Sequence, residues 1–242
     1  MNRYILLWFE GPLQSWGFNS KFGRRETLSF PTKSAVYGMF LSAMGRTGAQ
    51  KEFLETIASF KQTVISYTNV NERKLDGKFF WLPTLSSKIL IDYHMVGSGY
   101  NSEDSWQDLF IPKKRDGSTP NTGGAKITYR YYLQDAKFAI IQEMDSAIVE
   151  DISDALNAPV FEICLGRKSC IPTDFINRGI FNTFEEALEQ ANSIKNAKNL
   201  IEQFRIIEEE GKGEEFVIED VPIQFGQFKK YKNRIVSLVD YE

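Results

Sequence analysis

The chain has 242 residues, a mass of 27.8 kDa and a formal net charge of −3, with hydrophobic residues at 42% and charged residues at 25%; that balance belongs to a soluble globular protein with enough chain to bury a real core. The longest uninterrupted apolar run covers residues 5–9, far short of the ~20 residues of a membrane span, and no basic n-region precedes an apolar h-region, so neither a spanning helix nor a secretory leader is expected. Two cysteines, Cys164 and Cys170, exclude a disulfide framework and point to reduced cytosolic thiols, while the single histidine, His94, excludes multi-histidine zinc sites.

Residues 3–10 are rich in Ile, Leu, Trp and Phe and predict a buried strand that Gly11-Pro12 ends. Residues 14–28 carry Gly17 and Gly23 without a clear period and predict a polar, basic loop. Thr32 is a suitable N-cap for a helix whose Val36, Met39, Phe40 and Met44 share one face, with Gly45 as its stop. A second short helix is expected at 52–60 and strands at 63–68 and 87–96. Residues 97–125 change character, with five glycines, two prolines and little regular pattern; long segments of this kind inside compact domains are usually functional or disordered. Residues 126–142 return to one long strand pattern, so two strands flank a basic, Gly-rich arch. An acidic helix at 147–157, a short strand at 159–164, a basic turn at 165–169 and a helix at 183–192 with a Thr183/Glu186 capping box follow. Strand patterns at 204–209 and 216–221 flank Gly211-Lys212-Gly213 as a hairpin, and a last strand covers 234–239. This order predicts an α+β fold of the ferredoxin-like or RRM-like kind, with helices on one face of the sheet.

Charge is segregated along the chain. Lys21, Arg24, Arg25 and Lys33 stand against Glu26 in 19–40, and Lys113, Lys114, Arg115, Lys126, Arg130 and Lys137 stand against Asp116 and Asp135 in 109–137. Residues 138–166 hold six acids and no base, 205–220 hold two bases and seven acids, and 221–239 hold Lys229, Lys230, Lys232 and Arg234 with no acid. Basic blocks that met in space would grip a polyanion on a mildly acidic protein; blocks on unrelated sides would be solvated faces only.

Catalytic and cofactor motifs are absent: there is no P-loop, no dinucleotide fingerprint around Gly97-Ser98-Gly99, no nucleophile elbow and no paired-cysteine zinc spacing. No cofactor and no metal are expected. His94, assisted by Tyr93 or a lysine, could act as general base in metal-independent RNA cleavage, or it could hydrogen-bond within a strand or stack on a base. Lys33 falls in the first helical turn, where free N–H groups favour an anion, so it either shares a phosphate with them or points to water. Lys113, Lys114 and Arg115 beside Trp106 and Phe110 suit a single strand, with cations on phosphates and rings on bases.

Five ordered segments resemble the type I-E members of the fifth Cas protein family, RAMP proteins of CRISPR Cascade complexes. They are Gly11-Pro12-Leu13-Gln14-Ser15-Trp16-Gly17, Phe30-Pro31-Thr32-Lys33-Ser34 with Gly38, Asp92-Tyr93-His94-Met95-Val96, Tyr132-Leu133-Gln134-Asp135-Ala136-Lys137-Phe138, and Leu165-Gly166-Arg167-Lys168-Ser169-Cys170-Ile171-Pro172. The resemblance implies an RRM-like RAMP core (1–96 and 126–175) with a protruding β-hairpin thumb, an inserted arch (97–125) and a small β-rich C-terminal part completing the fold (176–242). It implies a non-catalytic cytoplasmic subunit that binds the 5′ handle of the CRISPR RNA, contacts the backbone and large subunits and supports antiviral targeting of DNA, with no membrane partner. Cleavage of repeat RNA is the alternative, since fifth-family subunits of some other subtypes are the nuclease. Gln14, Trp16, Lys21, Arg24, Arg25, Lys33 and Ser34 would line one side of the handle pocket. Tyr93, His94, Arg167 and Lys168 would line the other, with Lys113, Lys114, Arg115, Lys126 and Arg130 adding cations. The sequence departs from the family pattern in its longer 97–125 segment and at 205–220.

Overall fold

A computed structural model of the chain describes residues 2–18, 20, 23–69, 89–97, 99–118, 126–209 and 211–240. The elements are β1 (Asn2–Glu10), β2 (Leu13–Gln14), β3 (Arg24–Arg25), α1 (Lys33–Ala43), α2 (Lys51–Ile57), β4 (Gln62–Asn69), β5 (Ile89–Val96), α3 (Ser105–Asp108), β6 (Lys126–Gln134), β7 (Lys137–Asp145), α4 (Ser146–Asn157), β8 (Asn177–Phe181), α5 (Phe184–Ala197), β9 (Leu200–Ile207), β10 (Glu214–Gln224) and β11 (Lys230–Asp240). The result is an α+β fold with two sheets. Seven strands in the order β10-β11-β9-β4-β7-β1-β8 form an antiparallel sheet, and a smaller sheet is built around β6.

The unbroken apolar run of β1 follows from burial on both faces. Ile5, Leu7 and Phe9 enter a core shared with α1, α2 and α4, while Leu6 and Trp8 enter a second core with Ala187 and Ala191 of α5. Helices therefore cover both faces of the large sheet, rather than the one face expected. Local signals act as read: the Thr32 side chain accepts from Ala35 N, Gly45 takes φ +69° just past α1, and Thr183 and Glu186 complete their capping box. Among the described residues no helix is long and apolar enough to cross a membrane.

Three other expectations are corrected. Residues 126–142 are not one strand: Asp135 takes φ +51°, a left-handed conformation that Asp tolerates better than most residues. The chain there leaves β6 in the small sheet and enters β7 in the large one. Residues 204–209 and 216–221 do not form a hairpin, because β11 lies between β9 and β10 and pairs with both. Residues 159–164 form no strand; two of their amides go to α1 instead, Val160 N donating to Ala43 O at 2.9 Å and Phe161 N to Ser42 O at 3.3 Å. The edge strand β8 was not anticipated.

Lys33 turns inward. It is 1% exposed; its ammonium donates to Phe60 O (2.5 Å) and Glu208 Oε1 (3.1 Å), and its amide donates to Asp220 Oδ2 (2.7 Å). Arg234 completes the group, with Nε on Asp220 Oδ1 (2.6 Å), Nη2 on Asp220 Oδ2 (2.7 Å) and Nη1 on Glu208 Oε1 (2.6 Å). Burial pulls the Lys33 ammonium below the ordinary lysine value, against the opposing pull of Glu208. Two cations and two carboxylates thus cancel inside the protein and tie α1 to β9, β10 and β11, with Lys33 given no part in a surface site. Removing one member leaves its partner charged, buried and unpaired. Asp220→Ala is therefore expected to cost about 3–5 kcal/mol, read as a lower midpoint in urea unfolding.

A candidate nucleic-acid interface

The small sheet is a ribbon centred on β6. β5 pairs along one side of it, from Ile89↔Leu133 to Val96↔Lys126. β2 and β3 share the other side, with Gln14 opposite Leu133 and Arg25 opposite Arg130. Directly opposed residues share a face and neighbours along a strand alternate, so register assigns every side chain. One face carries Ile91, Tyr93, Met95, Ile127, Tyr129 and Arg24. The other carries Asp92, His94, Lys126, Thr128, Arg130 and Arg25. The first face is largely uncovered: Tyr93 is 53% exposed and Tyr129 42%, and their rings meet edge-on at 5.5 Å.

Arg167 joins the second face from the 165–170 turn. Its guanidinium lies 4.7 Å from the centre of the Tyr132 ring, and Nη2 donates to Arg25 O at 2.7 Å. That turn is held by backbone approach. Gly166 has φ +94°, and a Cβ there would stand 1.8 Å from Ser15 O; a Cβ on Gly11 would stand 2.7 Å from Ile171 O. Ser15 N also donates to Leu165 O (3.1 Å), and Ser15 Oγ donates to Tyr131 O (3.0 Å). The 11–17 segment thus clamps the turn to the ribbon.

The same segment braces the bend between β6 and β7. Asp135 N donates to Pro12 O (3.1 Å), and Gln14 Nε2 donates to Ala136 O (2.7 Å). Trp16 stacks on Phe9 with centroids 5.4 Å apart. Both Gln14 and Trp16 are fully buried, so two residues expected to touch a ligand instead hold the scaffold. Ser34 lies in the first turn of α1, its hydroxyl 3.1 Å from that of Thr32.

The structure brings Arg24, Arg25, Tyr93, His94, Lys126, Arg130 and Arg167 onto one ribbon from four distant stretches of sequence, and Lys168 follows as an exposed neighbour on the turn. Tyr93 and His94, adjacent in sequence, point to opposite faces. Lys113 pairs with Asp108, and Lys114 N donates to Ser118 O (2.9 Å), both inside the 99–118 excursion; Arg115 is exposed beside them. Lys21 lies outside the described residues. Burial raises the thiol pKa values of Cys164 and Cys170, which suits packing rather than nucleophilic chemistry. Tyr132, missed as a site residue, is the plate under Arg167; only its place among the aromatics next to Arg130 signalled it. Arg167 Nη1 and His94 Nδ1 are buried without a hydrogen-bond partner among the described residues, an uncommon state for buried polar atoms.

The overall mixed α+β fold is shared with solved structures. A chain of a CRISPR RNA-guided surveillance complex superposes with a TM-score of 0.69 at 24% identity, covering 99% of this chain and 90% of that one. A second, described as the crystal structure of a Cas protein, gives 0.54 at 21% identity over 98% and 94%. The sequence matches the family described as CRISPR-associated protein (Cas_Cas5) across residues 4–236, and the chain belongs to that family. The CRISPR system Cascade subunit CasD of Escherichia coli (strain K12) is 25% identical over 173 residues, 70% of this chain and 67% of that protein.

A methyl group at Gly166 has no room and an unfavourable φ. Gly166→Ala is expected to cost at least about 2 kcal/mol, lowering the melting temperature by about 4–8 °C for a domain of this size, as followed by circular dichroism.

Proposed function

We propose that this protein is a non-catalytic subunit of a type I-E Cascade-like surveillance complex and binds the 5′ handle of the CRISPR RNA. The carrying observation is the ribbon, where seven candidate residues from four segments converge on one element. In this reading the β5–β6 pair is the thumb of a ferredoxin-like core. Arg24, Arg25, Lys126, Arg130, Arg167 and Lys168 hold phosphates, which position a strand without reading its sequence. Tyr93, Tyr129 and His94 offer rings to splayed bases, the usual route to sequence selection in single-stranded RNA. The similarity to a protein named as a Cascade subunit supports neighbours of the same kind: the backbone subunit along the guide and the large subunit beside it, in a cytoplasmic ribonucleoprotein serving DNA targeting.

The absence of a cleavage role is part of the proposal. A metal-free ribonuclease built on His94 needs a second group within reach of the same scissile phosphate; alternation turns Tyr93 to the far face, which leaves Lys126 as the lysine on the His94 side. Two experiments test the reading. RNA recovered from the assembled complex is expected to begin with repeat-derived sequence, and RNA without it would overturn the proposal. The purified chain should leave repeat RNA intact in EDTA; cutting that disappears in His94→Ala would assign the nuclease role instead. Binding of handle RNA should weaken about tenfold in Arg24→Ala/Arg130→Ala, and the slope of log affinity against log salt should shrink by about 1.4, or ~0.7 for each lost phosphate contact.

A further inference from the structure

The basic block of residues 221–239 takes no part in the ribbon. Its Arg234 is spent on Asp220 and Glu208 inside the protein. The other three cations, Lys229, Lys230 and Lys232, are exposed where β10 turns into β11. This turn rests on the loop between α1 and α2: Phe225 N donates to Ala49 O at 3.0 Å, and Gly226, at φ +79°, leaves only 3.3 Å between its missing Cβ and the Gly48 carbonyl carbon. The contact brings up two more exposed cations, Arg46 and Lys51. Arg46 lies over the Phe53 ring at 4.9 Å, which orders the side chain without neutralising it.

Neither 44–51 nor 222–232 contains a carboxylate; the nearest in sequence are Glu52 of α2, Asp220, which is spent on Arg234, and the exposed Glu219 opposite Asn233. None of the five cations forms an ion pair with a described residue. Phe228, next to Lys229 in the β10–β11 turn, is 69% exposed. Like charges gathered beside an uncovered ring gain nothing for the fold. They repel one another, and the ring stays wet. The same arrangement is what a single nucleic-acid strand requires, with cations along the phosphates and a ring for a base.

Its position separates it from the ribbon. The ribbon leaves the large sheet where β7 begins. There Lys137 is level with Tyr67 of β4, the end of β4 is level with the start of β9, and Phe204 of β9 is level with Asp240 of β11. β11 runs from Asp240 away from that end to Lys230, roughly 30 Å at about 3.3 Å per residue. We propose that the β10–β11 turn and the α1–α2 loop form a second site for single-stranded nucleic acid, at the opposite end of the sheet from the ribbon.

The test uses the full-length chain and two short labelled probes, oligo-dT and oligo-U, titrated by fluorescence anisotropy over a salt series. Lys229→Gln/Lys230→Gln/Lys232→Gln is expected to keep its circular dichroism spectrum and elution volume, since all three side chains are exposed. It should lose about tenfold in affinity, and the salt slope should shrink by about 2, at ~0.7 per contact. Phe228→Ala should weaken binding at least about fivefold with the slope unchanged, as expected for stacking. In the Arg24→Ala/Arg130→Ala background the same losses should appear on top of the ribbon's own. Failure of either site therefore reads out separately. A loss on both probes assigns a backbone contact blind to the sugar, and a loss on one alone names the strand; both support the proposal. Unchanged affinity and slope for both probes, in the Gln variant and in its Lys→Glu counterpart, would overturn it. So would unchanged binding accompanied by failed assembly with partner subunits, which would make the patch a protein surface.

Discussion

A carbonyl oxygen at Ser15 occupies the place a side chain at residue 166 would need. Most of the ribbon's geometry follows from that contact. With no Cβ between them, the 165–170 turn and the 11–17 segment lie backbone on backbone. Leu165 and Ser15 can then hydrogen-bond, and Arg167 is delivered to Tyr132 and to the Arg25 carbonyl. A guanidinium on a flexible stem would otherwise lose considerable rotamer entropy on being fixed. Here the turn sets its origin, the ring its plane and the carbonyl its direction. Arg167 is thus held in place by the protein alone, which would lower the cost of any binding there.

The second organising feature lies at the other end of α1. Lys33, Glu208, Asp220 and Arg234 bury two charges of each sign, and such groups seldom stabilise a protein more than a well-packed apolar set of the same volume. What the quartet contributes is position. Asp220 accepts from the first-turn amide of α1, so it satisfies a free N–H of the buried helix start and Arg234 together. The start of α1 and the crossing of β10 and β11 are therefore fixed against each other, and the far end of α1 leads into the loop on which the β10–β11 turn rests.

What the sequence reveals divides along the same line. Elements with local causes are legible: β1 by its apolar run, α1 by Thr32 and Gly45, α5 by its capping box. Features with remote causes are not. Lys33 reads as a surface cation because its partners are 175 and 187 positions away. The break at Asp135 carries neither glycine nor proline, and it exists because Pro12 and Gln14 capture the neighbouring backbone groups. The Gly211–Gly213 turn signal is genuine, but β11 supplies a better partner for both flanking strands than they supply for each other. At the ribbon, the basic residues were visible as charge blocks, and strand alternation then sorted them. Gln14 and Trp16 share the same short motif with glycines and polar residues, and nothing local distinguishes a ligand contact from a brace.

Alternation also explains why a mildly acidic protein can offer strongly basic surfaces. The acids of α4 and Glu214, Glu215, Glu219 and Asp220 of β10 lie on the large sheet and its helices, and the quartet consumes Asp220 together with Glu208 just past β9. The cations of the ribbon are carried on a separate sheet whose strands hold one acid, Asp92, on the face of Arg25, Lys126 and Arg130; Arg24 lies on the other face. Salt screens exposed charges beyond about 8–10 Å, so a ligand at the ribbon responds to its immediate neighbours rather than to the net charge of −3. Sequestering two acids in the core and setting the cations on a projecting element gives a local positive potential that total composition conceals. The same reasoning makes Tyr93 and His94 independent of each other. One sits with exposed apolar side chains, the other among cations, and the two faces of a single ribbon therefore present different chemistry to whatever passes along it.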